Sequence, residues 1–310
     1  MSISVDILLS TYNGEKYLAD QIDSILQQTF CNWHLIIRDD GSSDKTLSII
    51  DKYLRTCPNK ITYITCAQKR LGPTQSFASL MLESKAPYIA FCDQDDEWLP
   101  NKLQVQVEKI IELEELNGQS TPILVHSDLI VVNDKLDLIS ESFWIYQHLA
   151  PNKMSSLQRQ LIQNCVTGCT VLINRSLLGL ASPIPNGVIM HDWWLALIAV
   201  SQGVLCELDA VTVKYRQHDN NDTGAKKWGV GVIFAGFFSG FQANRKRLQK
   251  TNIQAEMFAK SIALSDHNQK IVKAYLKMYK MSWLKRRIQM IKMGFFKCGF
   301  LRNVAMLMYL

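Results

Sequence analysis

Three carboxylates fall within four residues in the run Phe91, Cys92, Asp93, Gln94, Asp95, Asp96. They follow an apolar stretch, Tyr88 to Cys92, whose composition predicts a buried β-strand. Carboxylates crowded at a strand end repel one another and lose hydration, so they need a compensating cation, either a divalent metal or basic side chains. Hard oxygen ligands of this kind suit Mg²⁺ or Mn²⁺, ions that beside a nucleotide bridge diphosphate oxygens and neutralise a leaving group. The alternative for the same residues is a solvated acidic turn before the helix that Pro100 and Asn101 begin.

The elements that would carry this cluster alternate regularly. Val5 to Ser10 reads as a strand ending in Thr11, Tyr12, Asn13 and Gly14, after which Tyr17, Leu18, Ile22, Ile25 and Leu26 recur at helical spacing. His34 to Arg38 is a second strand, closed by Asp39 and Asp40 ahead of a helix through Leu47, Ile50 and Leu54. A third strand over Ile61 to Thr65, a helix over Pro73 to Leu82, the fourth strand and a helix over Asn101 to Leu116 complete the series. Strands alternating with helices predict a doubly wound, largely parallel sheet whose binding crevice lies at the strand C-termini. There, Asp39 and Asp40 can accept hydrogen bonds from a nucleobase or a ribose, or serve only as helix cap and turn. Thr11, Tyr12 and Asn13 can offer hydroxyl, ring and amide to a nucleotide, or form an ordinary turn. Lys69 and Arg70 can pair with a diphosphate or the acidic run, or stay solvated. Neither GxxxxGK[ST] nor GxGxxG follows the first strand, which excludes the kinase and nicotinamide-dehydrogenase readings. Beyond residue 120 the alternation loosens. Ile123 to Val132, Val171 to Asn174 and Val211 to Tyr215 are further strands expected to extend the sheet in mixed orientation, with a helix over Trp193 to Val200 between the last two.

Charge divides the chain. From Lys226 onward there are 17 Lys and Arg against 2 acids, whereas residues 1 to 225 hold 17 basic and 26 acidic residues. This predicts two regions, 1–225 and 226–310, with different partners. The eight cysteines form no CxxC pair, which suits a reduced, cytosolic compartment, and no signal-peptide pattern opens the chain. Trp228 to Asn244 is uncharged but at the lower limit for a membrane span. Arg245 to Arg247 and Lys285 to Arg287, interleaved with large apolar residues, suit helices lying on an anionic membrane surface, with a helical dimerisation arm as the alternative. Basic residues mixed with large aliphatics do not suggest a nucleic-acid partner.

Taken in order, Leu8 to Gly14, Arg38 to Asp44, the Gly72 region and Phe91 to Leu103 resemble a family 2 glycosyltransferase with the GT-A fold, over about residues 3 to 225. The resemblance implies that Thr11, Tyr12, Asn13, Asp39, Asp40, Lys69, Arg70 and Gln94 contact a nucleotide-diphospho-sugar. It implies a DxD element of Asp93 and Asp95, with Asp96 offering an overlapping choice and His218 a further ligand, around Mg²⁺ or Mn²⁺. His191-Asp192-Trp193-Trp194 is similar to the acidic motif that carries the family's base. Asp192 is then the catalytic base of an inverting transfer, and His191, Trp193, Trp194, Gly168, Cys169 and Thr170 the acceptor side. The wording around these motifs is most similar to the rhamnosyltransferase branch that builds bacterial surface polysaccharides. That implies dTDP-rhamnose as donor, with a UDP-sugar next, and a lipid-linked glycan acceptor at the inner membrane face. A sugar-nucleotide pyrophosphorylase would need a glycine-rich loop with a basic residue after strand one, which Thr11 to Gly14 lacks.

Overall fold

The computed structural model describes residues 3–65, 70–218 and 241–309. Nine strands form one sheet in the order β3-β2-β1-β4-β8-β6-β9-β5, with β7 paired to β6. Strands β1 (Val5–Thr11), β2 (Trp33–Asp39), β3 (Ile61–Ile64) and β4 (Tyr88–Cys92) are mutually parallel. Then β8 (Leu172–Asn174) enters antiparallel between β4 and β6 (Ile123–Val132), and β6 runs parallel to β9 (Val204–Arg216). Two short strands, β5 (Glu97–Trp98) and β7 (Leu138–Ser140), add antiparallel pairings at β9 and β6.

Side chains alternate across the sheet as strand geometry requires. On β1, Val5, Ile7 and Leu9 join one apolar layer while Leu8 joins the other. The first layer is covered by helices α1 (Leu18–Leu26), α2 (Thr46–Thr56) and α4 (Lys102–Asn117). The second lies under α3 (Pro73–Glu83), α7 (Arg175–Ala181) and α8 (His191–Gln202), with the short turns α5 (Phe143–Tyr146) and α6 (Leu157–Gln160) in the connection before β8. Strand β4 is buried along its whole length, as a parallel strand covered on both faces should be. Gly72, at φ 76°, turns the chain into α3, and Pro73 at the first helical position is pre-set for that start.

The basic C-terminal part is helical: α9 (Phe241–Ser261), α10 (Asp266–Met278), α11 (Trp283–Met293) and α12 (Phe300–Tyr309). Its buried residues Phe258, Val272, Tyr275, Met290 and Met306 belong to the same apolar cluster as α8 and the sheet. Helix α8, apolar all round, is therefore sandwiched between the sheet and the C-terminal helices, with Trp194 edge-on to Phe258. Among the described residues no helix is long and apolar enough to cross a membrane. Most of Trp228 to Asn244, the boundary at 225/226 and Lys69 lie outside the described residues.

Candidate active site

The C-terminal ends of β1, β2, β4 and β9 share one edge of the sheet, and hydrogen bonds tie their loops together. Gln94 is the clamp between the first and fourth: its Oε1 accepts from the Thr11 hydroxyl (2.6 Å) and the Tyr12 N–H (2.9 Å), and its Nε2 donates to the Tyr12 carbonyl (3.1 Å). A Cβ on Gly14 would stand 2.5 Å from Gln94 Oε1, so only glycine leaves room for this clamp. Asn13, in the left-handed region at φ 49°, accepts from Ser43 N–H and receives its own N–H bond at Ser42 Oγ, joining the first and second loops. Tyr12 is left exposed beside them.

Asp39 and Asp40 diverge. Asp39 turns onto its own loop, accepting from the Gly41 and Ser42 N–H groups and from the Ser42 hydroxyl. Asp40 points inward, where its carboxylate accepts from buried Arg38 (2.7 Å) and from the Leu71 and Gly72 N–H groups (2.8 Å each). Arg70 is exposed and bonds the Asp40 carbonyl through its backbone.

The acidic loop is organised by β9. Asp95 Oδ2 lies 2.8 Å from His218 Nε2, and the His218 ring stacks on Tyr17 at 4.8 Å between centroids. Arg216, almost fully buried, donates from Nε to the Asp95 carbonyl, reaches Asp20, and lies over the same Tyr17 ring; its own N–H donates to Asp96 Oδ1. Asp96 is fully enclosed, and its second oxygen has no hydrogen-bond partner; the adjacent Cys169 thiol is a weak donor. Burial, then the charges of Asp95 and Asp93, push the Asp96 carboxyl well above its ordinary range. Behind it Lys102 is buried, bonded to Gln106 and set over Trp98; burial brings its ammonium down to about 8.

The donor set fits a hard divalent ion. Asp95 and His218 converge at the strand ends, carboxylate and imidazole, a combination that Mn²⁺ accepts. Among the described residues Asp93, Asp96 and Cys169 also bring ligand atoms within 4.8 Å of one another, but burial and the nearby acids raise the Cys169 thiol well above its usual range, and a protonated thiol is a poor ligand for Mg²⁺ or Mn²⁺.

Asp192 opens α8. It accepts from the Trp193 N–H (2.5 Å), the Gly168 N–H and the Asn164 side chain, yet burial outweighs these and raises its carboxyl to about 7. Its neighbour His191 is enclosed between Phe77 and Phe91 (ring centroids 4.1 and 5.0 Å), which lowers its imidazole to about 3. Gly168 lies against both: a Cβ there would meet His191 Nε2 at 3.0 Å and Asp192 Cβ at 3.8 Å. Since Cys169 touches Asp96, the base and the acidic loop are joined through two consecutive residues.

The sequence model described as glycosyl transferase family 2 matches residues 6–179, more than half of the chain. The chain belongs to glycosyl transferase family 2. Among curated relatives, a protein named UDP-Glc:alpha-D-GlcNAc-diphosphoundecaprenol beta-1,3-glucosyltransferase from Escherichia coli is 28% identical over 56% of this chain and 61% of its own length, so the match spans less than two thirds of that relative. A dTDP-rhamnosyl transferase from Shigella flexneri is 26% identical over 70% of this chain and 74% of its own. Among solved structures, Staphylococcus aureus TarS 1-349 with UDP-GlcNAc superposes with a TM-score of 0.59 at 14% identity, covering 94% of this chain and 79% of that one. A mannosyltransferase from Pyrobaculum calidifontis with GDP-Man and Mn²⁺ gives 0.55 at 13%, covering 99% and 79%. The fold is GT-A.

Several expected contacts in this glycosyltransferase need correction. Trp194 is core, its indole N–H bonded to the Ala181 carbonyl, so it presents no face to an acceptor. Trp193 is half-buried and donates to the Gln160 carbonyl. His191, Cys169 and Thr170 are enclosed and stand behind the base instead of lining an open acceptor surface. Asp40 braces the second loop through Arg38 and leaves the more accessible Asp39 facing the crevice side. Asn164, Tyr17, Arg216 and Lys102 were not singled out as site residues from the sequence; for the two cations the signal was present, since an acidic cluster calls for basic partners.

Proposed function

We propose that this glycosyltransferase moves a sugar, with inversion at the anomeric carbon, from a nucleotide-diphospho-sugar to a lipid-linked glycan of a bacterial surface polysaccharide, working at the inner membrane face. The observation that carries the reading is the Gly168-Cys169 junction, which holds a buried, weakly acidic carboxyl against the loop of Asp93, Asp95 and Asp96. The acceptor oxygen attacks the anomeric carbon, its proton passes to Asp192, and the bond to the diphosphate breaks on the opposite face, releasing the nucleoside diphosphate. With its carboxyl near 7, Asp192 is ionised at neutral pH yet basic enough to take that proton. Thr11, Tyr12, Asn13 and Asp39 face the base and ribose, and Gln94 holds the first loop in register with the acidic one. Asp95, His218 and Asp93 would hold Mg²⁺ or Mn²⁺, which supplies charge neutralisation on the departing diphosphate. Tyr17 and Arg216 keep the His218 ring and the Asp95 backbone in place.

The name of the Shigella relative supports dTDP-rhamnose as donor. The name of the E. coli relative favours a second reading, transfer of glucose from UDP-glucose to an undecaprenyl-diphosphate acceptor, and supports the lipid-linked acceptor in both. A thermal-shift screen of UDP-, dTDP- and GDP-sugars with and without Mn²⁺ separates them, because a ligand at 100 times its Kd adds about 2.7 kcal/mol of stability. A shift with dTDP-rhamnose plus Mn²⁺ is expected; a response confined to UDP-glucose selects the second reading, and no response to any donor removes both.

A further inference from the structure

Helices α11 and α12 leave a continuous apolar face uncovered. On α11, Leu284, Ile288 and Ile291 follow one another at helical spacing and are 61%, 56% and 58% exposed. On α12, Phe300, Val304 and Met308 do the same, with Phe300 80% exposed, while Arg302 and Met306 on the opposite side are buried. The two helices are held together at this face: the Arg287 guanidinium stacks on the exposed Trp283 ring at 3.7 Å and donates to the Met308 carbonyl. Exposed Lys285 and Lys292 border the α11 stripe. From His267 to the C-terminus there are ten Lys and Arg and no Asp or Glu.

We propose that this α11–α12 face seats on an anionic lipid bilayer, with the apolar stripe at the acyl boundary, Lys285 and Lys292 at headgroup level and Trp283 in the interface. It deepens, and rests on, the reading of a lipid-linked acceptor. A bilayer supplies both things the face asks for, an apolar layer and negative charge beside it. A second copy supplies only the first, and would bring two acid-free basic surfaces together against their own repulsion. The position also serves the chemistry. At the start of α12, Cys298 N–H bonds Gln163 Oε1 and Arg302 donates to the His148 carbonyl, and Asn164, next to Gln163, bonds the base Asp192. A face seated on lipid is thus one packed layer from the group that deprotonates the acceptor.

The test is co-sedimentation of the full chain with vesicles of mixed phosphatidylglycerol and phosphatidylcholine, or of phosphatidylcholine alone, without donor or acceptor. Its failure therefore leaves the glycosyltransferase reading standing, and the donor screen above can fail independently. The wild-type chain should pellet with the anionic vesicles and lose binding in high salt. The Leu284→Ser/Ile288→Ser/Phe300→Ser variant should bind at least about tenfold more weakly with an unchanged melting temperature, because those side chains are exposed. Should that variant fold poorly, Lys285→Gln/Lys292→Gln gives the second reading, with binding to anionic vesicles weakened severalfold. Equal pelleting with neutral vesicles, wild-type binding by the folded triple variant, or a wild-type dimer that the triple variant dissolves without any vesicle binding would each overturn the proposal.

Discussion

Replacing Asp192 by Asn should stop sugar transfer and, above neutral pH, make the protein more stable. The carboxyl is raised from 3.8 to about 7 chiefly by burial. Because the folded-state value lies above the unfolded one, the folded chain holds a proton that the unfolded chain has already released, and stability falls as pH rises between about 4 and 7. Above about pH 7 the full penalty stands: about three pH units at 1.36 kcal/mol each, or about 4 kcal/mol. Asparagine is neutral at every pH and escapes it. The amide keeps only one acceptor oxygen, however, for donors that include Trp193 N–H, Gly168 N–H and Asn164, and losing part of that set costs about 1–2 kcal/mol. The net gain at about pH 8 is then about 2–3 kcal/mol, which for a chain of 310 residues with an unfolding entropy of about 2.1 cal/mol/K per residue raises the melting temperature by about 3–5 °C. At about pH 5 the aspartic acid is already protonated and the gain should vanish or reverse slightly. Turnover of the variant should fall at least about 10³-fold, and wild-type turnover should rise through about pH 7. Melting curves at the two pH values and a nucleoside-diphosphate release assay read all three. A variant that melts lower than wild type at about pH 8, or that still transfers sugar, refutes the assignment of a buried, charge-penalised base.

Asp40→Ala removes the carboxylate that faces the fully buried Arg38 guanidinium, so it should cost about 3–5 kcal/mol and lower the melting temperature by about 5–8 °C. Donor affinity measured well below that temperature should change little; a large affinity loss at unchanged melting would make Asp40 a donor contact instead of a brace. Gly168→Ala drives a methyl into the His191 ring, which Phe77 and Phe91 prevent from yielding, so stability should fall by about 1–3 kcal/mol and turnover by more than tenfold while donor binding persists. Equal loss of donor binding in that variant would place Gly168 on the donor side. Asp95→Asn and His218→Gln should each abolish the Mn²⁺-dependent part of the donor thermal shift and lower turnover at least about 10²-fold, with titration calorimetry of Mn²⁺ as the direct check.

The parallel half of the sheet was legible because burial on both faces leaves near-continuous apolar runs bounded by polar turns: Tyr88–Cys92 and Ile123–Val132 have the predicted ends. Strand β9 was predicted only from Val211, since Glu207 and Asp209 interrupt its apolar pattern. The two-residue β5 and three-residue β7 carry no period at all and exist only through their partners. In the site, residue type and order announced the acidic run, the first loop and Asp192. Direction of side chains did not follow from order: His191 and Trp194 sit in the same motif as Asp192, yet α8 is packed on every side, so both point into the core. The C-terminal helices misled for a related reason. Their charge suggested a separate surface module, whereas Phe258, Tyr275 and Met306 complete the core over α8.

The antiparallel strand β8 explains how one chain brings a weak acid and a cluster of strong ones so close without merging them. A parallel strand between β4 and β6 would need a long crossover and would begin at the far edge of the sheet. Running the other way, β8 is entered from the crevice edge, so the turn before it, Gly168 to Thr170, lies beside the end of β4, where Phe91 N–H bonds the Val171 carbonyl. One side of that turn meets α8 and the other meets Asp96. The environments then separate the carboxyls. Asp192 is shielded by apolar neighbours and receives donors on one side only, which makes it a base near neutrality. Asp95 is held by His218 and shares with Asp96 the service of Arg216, which ties the loop from behind while leaving its front to a cation. Exchanging the two environments would exchange the two chemistries, since a carboxylate held by cations is too weak a base to take a hydroxyl proton, and one buried without them cannot bind a divalent ion without first losing its own proton.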